Sequence, residues 1–198
     1  MPQVHEIRAN YDETTLIVYQ AYPAAIAEAA LRAGKFVPPF SLNRMTWIKP
    51  SFLWMMERSN WGLKAGQERI LSVRITRSGW EEALSLAVLT HPEKSVYPDP
   101  DEWRRQMDKA LVTIQWDPER DLRGTPQDYQ SIQVGISRHV AERYVDAWTT
   151  EIQDVTPLVR KMHQLIQSGQ AAKAKHFLPG ERVYPVNTAV AKRLGMSS

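Results

Sequence analysis

An α+β fold is predicted for this chain by two features of its sequence. Segments of β-branched and aromatic residues alternate with segments of strong helix formers, and proline-rich or polar connections separate them. The interleaved order, without internal repeats, implies one domain over residues 1–198, built as a mixed or antiparallel sheet with packed helices.

Residues 14–20 (TTLIVYQ) read as the first strand. Pro23 opens the helix AAIAEAALRAG, which Gly34 stops. KFVPPFSLN is a loop, because consecutive prolines cannot continue a helix. Residues 44–49 (RMTWIK) form a second short strand; Pro50 and Ser51 then start the helix SFLWMMERSN, ending near Gly62. Residues 68–76 (ERILSVRIT) alternate most clearly, with Ile70, Ser72, Arg74 and Thr76 on one face and Leu71, Val73 and Ile75 on the other. GWEEALSLAVL reads as one helix, and HPEKSVYPDPDEW as a surface connection ending in a short helical turn. ALVTIQW and SIQVG are further strands, joined by the polar segment DPERDLRGTPQDY. Ser137 can cap a helix carrying Val140, Ala141, Tyr144, Val145 and Trp148. Thr156 and Pro157 start another helix, LVRKMHQLIQSG, and Gly169 stops it; the basic tail after it, with KAK and a Pro-Gly turn, is expected to be less ordered. Residues 1–13 and 190–198 are expected to be flexible.

An apolar fraction of 43% is enough to bury a core. The sequence has no Cys, which excludes disulfides, thiolate nucleophiles and Cys-ligated zinc, and suits a reducing cytoplasm. The opening residues lack the apolar core of a signal peptide, and no apolar run approaches the ~20 residues of a membrane span, so a cytoplasmic protein without a membrane partner is expected. The five histidines never fall at i, i+4 spacing, so no metal site is expected. There is no G-x-G-x-x-G, no Walker A and no G-x-S-x-G elbow.

The formal charge of +3 is unevenly spread. Residues 41–80 hold seven basic side chains against two acidic ones, and from Arg160 onward Glu181 is the lone acid among seven bases. Residues 91–130 carry nine carboxylates against six bases. Such asymmetry points to an anionic partner: a nucleotide, another phosphate-bearing ligand, or nucleic acid.

Three segments concentrate candidate chemistry. Residues 44–67 hold Trp47, Trp54 and Trp61 among Arg44, Lys49, Arg58 and Lys64, a composition suited to holding phosphates and stacking a base or nicotinamide. Lys64, between Gly62 and Gly66, can also sit in a small anion-binding turn. Met55 and Met56 read as core. QWDPE, at a strand end, offers Glu119 as a general base or ribose-orienting carboxylate; the alternative is that Asp117-Pro118 merely begins a turn. Gln20 and Tyr22 close the first strand, where they can bind and stack a planar ligand.

IVYQAYPAAIAEAAL, RMTWIKPSFLWMMERSNWG and QWDPERDLRG…YQSIQVGIS together resemble an uncharacterised bacterial and fungal family defined by a domain of unknown function. At the level of fold the order of elements is also similar to ADP-ribosyltransferases. That resemblance implies NAD as the bound nucleotide, Gln20 and Tyr22 at the first NAD-contacting position, Thr46 or Ser51 at the second, and Glu119 as the catalytic carboxylate. Gln20 departs from the His or Arg usual at its position, and fold does not fix function.

The functional expectation is therefore a nucleotide-dependent transferase acting through a basic and aromatic cleft. Gln20 and Glu119 are its catalytic candidates; Tyr22, Arg44, Trp47, Lys49, Ser51, Arg58 and Lys64 hold the nucleotide. Its alternative is a non-catalytic nucleotide- or nucleic-acid-binding module.

Overall fold

The computed structural model describes residues 5–196. In chain order its elements are β1 (Arg8–Ala9), β2 (Thr15–Tyr22), α1 (Ala24–Ala33), β3 (Thr46–Ile48), α2 (Phe52–Ser59), β4 (Arg69–Thr76), α3 (Arg77–Ser85), β5 (Ala87–Leu89) and α4 (Pro100–Asp108). They continue with β6 (Val112–Arg120), β7 (Pro126–Ile136), α5 (Arg138–Arg143), a π-helical turn (Tyr144–Trp148), β8 (Thr149–Asp154), α6 (Thr156–Gln167), α7 (Ala171–Lys175), β9 (Arg182–Val183) and α8 (Thr188–Arg193).

The single sheet expected from the sequence is divided. An antiparallel sheet runs β2-β4-β8, a mixed sheet runs β3-β7-β6-β5, and β1 pairs with β9. The two larger sheets meet where the Tyr19 N–H donates to the Lys49 carbonyl at 2.7 Å. That bond brings the end of β2 beside the end of β3, and the candidate site is built at this seam. The result is an α+β domain.

The local sequence rules account for most element ends. Gly34 takes a left-handed conformation after α1, and Ser51 caps α2 by accepting from the Trp54 N–H at 3.1 Å. Past α2, Asn60, Trp61 and Gly62 are all left-handed, with φ of 48°, 55° and 74°. Such values are uncommon for side chains with a Cβ. Trp61 stacks flat on His163 of α6, with ring centroids 5.4 Å apart.

Several segments differ from the sequence reading: the short turn expected after HPEKSVY is the nine-residue α4, and the tail after Gly169 carries α7, β9 and α8. Ala87–Leu89 is a strand, not the end of a helix: it pairs in parallel with Val112–Ile114 and buries all three side chains. The segment DPER is not a connection but the end of β6, which runs through Pro118 and Glu119 to a register shift at Arg120. The turn is confined to residues 121–125, where Asp121 accepts the N–H groups of Arg123 and Thr125.

Leu71, Val73 and Ile75 are fully buried, but so is Ile70, and Ser72 is nearly so. β4 lies between β2 and β8 and is covered on both faces. Most buried apolar residues form one cluster; a second joins Tyr19, Phe52, Met55, Met56 and Ile70 to Val159 and Met162 of α6. Burying one such side chain stabilises the fold by about 1.5–3 kcal/mol. The second cluster therefore fixes α2, and with it the segment leading into it. Ile7 and Ala9 near the start, and Val190 and Leu194 near the end, are buried parts of the main core. The rest of the end segments expected to be flexible, residues 1–4 and 197–198, lies outside the described residues. No helix among the described residues is long and apolar enough to cross a membrane.

A candidate ligand cleft and its buried neighbour

A cleft of about 740 Å³ opens at the seam between the sheets. Gln20 and Tyr22 enter it from β2, Thr46, Trp47 and Lys49 from β3 and its end, Met55 and Arg58 from α2, and Gln115 and Gln133 from β6 and β7. Phe40, Arg44 and Met45 join them from the loop before β3, and Gly66 and Gln67 from the turn after α2. Arg44 and Arg58 are exposed, Trp47 is half-buried and Lys49 is only 6% exposed.

Three of these cations lack partners. Arg69, Arg74, Arg77, Arg105 and Arg143 are all engaged in ion pairs. Among the described residues no ion pair or side-chain hydrogen bond is found for Arg44, Lys49 or Arg58. The Lys49 ammonium lies 5.2 Å from the centre of the Trp54 ring. Burial, with the charge of Arg58 adding to it and Asp117 opposing, brings its pKa down to about 7.

Trp47 takes its place from its cross-strand partner in β7, Gly135. A Cβ at Gly135 would lie 3.0 Å from the Trp47 ring and 2.9 Å from the Met45 sulfur. Gly135 is thus the seat on which the indole lies. Gln115 and Gln133, also cross-strand partners, each donate a side-chain N–H to Asp117, at 2.8 and 2.7 Å. Their side-chain carbonyls remain as acceptors for ligand hydroxyl or amino groups.

Gln20 is committed to the protein. Its amide nitrogen donates to the Tyr22 hydroxyl at 2.7 Å and to Thr46 Oγ1 at 2.8 Å, and its carbonyl accepts from the Tyr144 hydroxyl at 2.6 Å. Gln20 therefore positions Tyr22 and Thr46 at the cleft edge, with no amide hydrogen left for a ligand.

Ser51 and Glu119 lie apart, in an enclosed polar group beneath the N-terminus of α2. Ser51 Oγ donates to Glu119 Oε1 at 2.9 Å, and the same oxygen accepts the Arg120 N–H at 2.8 Å. Glu119 is 4% exposed; burial raises its pKa against the hydrogen bonds from Arg120, Ser51 and Ser131. Glu181 reaches the same helix end from the C-terminal region, accepting the Phe52 N–H at 2.7 Å, and burial pushes its pKa up to about 8. Arg8, paired with Glu6, supplies the nearby positive charge. In place of nucleotide contact, Ser51 is a helix cap tied to Glu119. Lys64 is exposed on the turn after α2 and does not line the cleft.

The structure thus gathers Gln20, Tyr22, Arg44, Trp47, Lys49 and Arg58, and separates Ser51, Lys64 and Glu119 from them. Gln115, Gln133 and Glu181 escaped the sequence reading. The glutamines are joined by strand register alone. Glu181 left a trace as the lone acid in a basic stretch.

The segment TWIKPSFLWMM supplies Thr46, Trp47, Lys49 and Met55 to the cleft and Ser51 to its neighbour. No curated protein matches the chain. Residues 6–184 match the family model described as a domain of unknown function, DUF4291, and the chain belongs to that family.

Proposed function

We propose that the cleft binds a nucleotide or other phosphate-bearing ligand, with NAD the first candidate, and that the protein is a nucleotide-dependent transferase. The observation that carries this reading is the meeting of three unpaired cations, Arg44, Lys49 and Arg58, with the Trp47 ring in one cleft. Its volume of about 740 Å³ lies within the range of small-molecule sites. Two arginines at the rim suit bidentate phosphate contacts, and the indole offers a face for a base or nicotinamide. The acceptor carbonyls of Gln115 and Gln133 suit ribose hydroxyls.

In a transfer from NAD, the bond between ribose C1′ and nicotinamide breaks, its electron pair leaves on the nicotinamide, and positive charge develops on the ribose. A carboxylate near C1′ would stabilise that charge. Glu119 sits outside the cleft, so this part of the ADP-ribosyltransferase comparison has no support from its position. The nucleotide reading rests on the cations and the ring.

Thermal unfolding with NAD, ATP, ADP-ribose, orthophosphate and short oligonucleotides tests it. A ligand at ~100 times its Kd stabilises the native state by ~2.7 kcal/mol. A nucleotide shift that falls when Arg58 becomes Gln supports the reading, with affinity expected to drop roughly tenfold. Absence of a shift with every phosphate-bearing ligand overturns it. The alternative, nucleic-acid binding without catalysis, draws on the exposed Lys173 and Lys175 of α7. It predicts a shift with oligonucleotides alone, lost steeply as salt rises.

A further inference from the structure

Lys49 is an unusual residue to leave without an anion or a hydrogen-bond acceptor, the face of the Trp54 ring being the contact its ammonium makes. A lysine withdrawn from water normally pairs with a carboxylate or hydrogen-bonds through its ammonium, because an isolated buried charge is costly. Here the side chain is 6% exposed and its nitrogen has no hydrogen bond or ion pair among the described residues. Its ammonium lies over the Trp54 ring, 5.2 Å from the ring centre, and the cleft opens in front of it. The charged and titratable groups around it are Arg58 on α2, Asp117 on β6, Tyr22 on β2 and Arg44 at the rim. Asp117 is engaged by Gln115 and Gln133, leaving two arginines as the unpaired charges on that wall.

We infer that Lys49 is a nucleophilic amine, and that it forms a reversible imine with an aldehyde or ketone whose anionic group is held by Arg44 and Arg58. A lysine becomes a nucleophile near neutral pH when it is desolvated and set beside another cation, and both conditions hold here. The amine lone pair attacks the carbonyl carbon and the C=O π pair moves to oxygen. A proton passes from nitrogen to that oxygen, giving a carbinolamine. The hydroxyl leaves as water as the nitrogen lone pair forms C=N, and the proton the departing oxygen takes up is balanced by the one the nitrogen releases, giving the imine; addition of water reverses it. No oxidant or reductant takes part. The arginines at the rim select carbonyl compounds carrying phosphate or carboxylate over neutral ones. This goes beyond the nucleotide reading, which needs no covalent bond, and stands independently of it.

The test uses the full chain, with pyridoxal 5′-phosphate as a charged aldehyde and pyridoxal as its phosphate-free counterpart. Borohydride fixes any imine as a secondary amine, and peptide mass spectrometry locates it. Lys49 should carry at least ~10-fold more label than exposed lysines such as Lys64, since its own lowered pKa leaves it substantially neutral at pH 7. Labelling should be half-maximal near pH 7. Lys49→Arg should remove it, and Arg44→Gln should cut labelling by pyridoxal 5′-phosphate several-fold while sparing pyridoxal, because Arg44 faces the cleft without setting the Lys49 pKa. Should the variants fail to fold, site occupancy and the pH profile of the wild type decide. Label spread over exposed lysines without preference for Lys49, or a profile rising only in strong alkali, overturns the inference. Protection of Lys49 by NAD would support the nucleotide reading as well; selective labelling that no nucleotide blocks keeps the imine and counts against that reading.

Discussion

Two buried polar groups flank Pro50, and they are organised in opposite ways. On the Lys49 side a cation faces an open cleft with no anion to meet it. On the Ser51 side Glu119 is enclosed and Glu181 half-buried; they share the charge of Arg8 and are met by protein N–H and O–H groups. Two neighbouring residues thus face different problems. The enclosed group is satisfied from within and behaves as part of the scaffold. The open one is satisfied only when something enters. That difference, more than the residue types, separates a structural polar cluster from a candidate binding site.

Lys49→Met should raise stability by roughly 3 kcal/mol at pH 6 while abolishing anion binding. The sign follows from the lowered pKa. Between about 7 and 10.5 the unfolded chain holds a proton that the native state does not, so wild-type stability rises with pH across that window. The advantage of the variant should accordingly shrink towards pH 10, as read by urea unfolding. A variant less stable than wild type at pH 6 would mean that Lys49 has a partner in solution.

Glu119→Ala should cost about 2 kcal/mol, because Ser51, Ser131 and the Arg120 N–H lose an acceptor in a buried place. Glu119→Gln keeps an acceptor oxygen and should be nearly neutral. Ligand affinity should be unchanged in both; a selective loss of turnover in Glu119→Gln would return Glu119 to a catalytic role.

Glu181→Gln should add about 1–2 kcal/mol of stability above pH 8, a smaller gain than at Lys49 because Glu181 is only half-buried and solvent screens its charge. The Glu181 pKa is raised from 4.5 to about 8, so its native contribution is complete below 4.5 and is lost as pH rises through 8. Below pH 4.5 the variant and the wild type should unfold alike. A gap that persists there would place the effect in packing.

Much of this was legible in the sequence, and the reasons differ by element. Residues 69–76 declared themselves by alternation, and Ser51 by its place before an apolar helix. Both are local signals, and both elements formed as expected. Ala87–Leu89 was hidden because its residues suit a helix; only pairing with β6 makes it a strand. The cleft was half visible. Its β3–α2 block showed as a crowd of aromatics and bases, whereas Gln115 and Gln133 are joined by a register that no local pattern encodes. Glu119 was misplaced for a related reason: β6 continues through Asp117-Pro118, carrying Glu119 under α2. Glu181 reaches Phe52 across 129 residues of sequence.

Gly135 gives the cleft a further property. The indole of Trp47 rests where a side chain at 135 would stand, and Thr113 and Met45 close the other approaches. Even one added methyl group would meet Thr113 Oγ1 at 2.5 Å, then the Met45 sulfur and the edge of the Trp47 ring, and the two of these that line the cleft would have to shift. The aperture is therefore gauged by an atom that is missing, and position 135 is a dial for the girth of whatever the cleft admits.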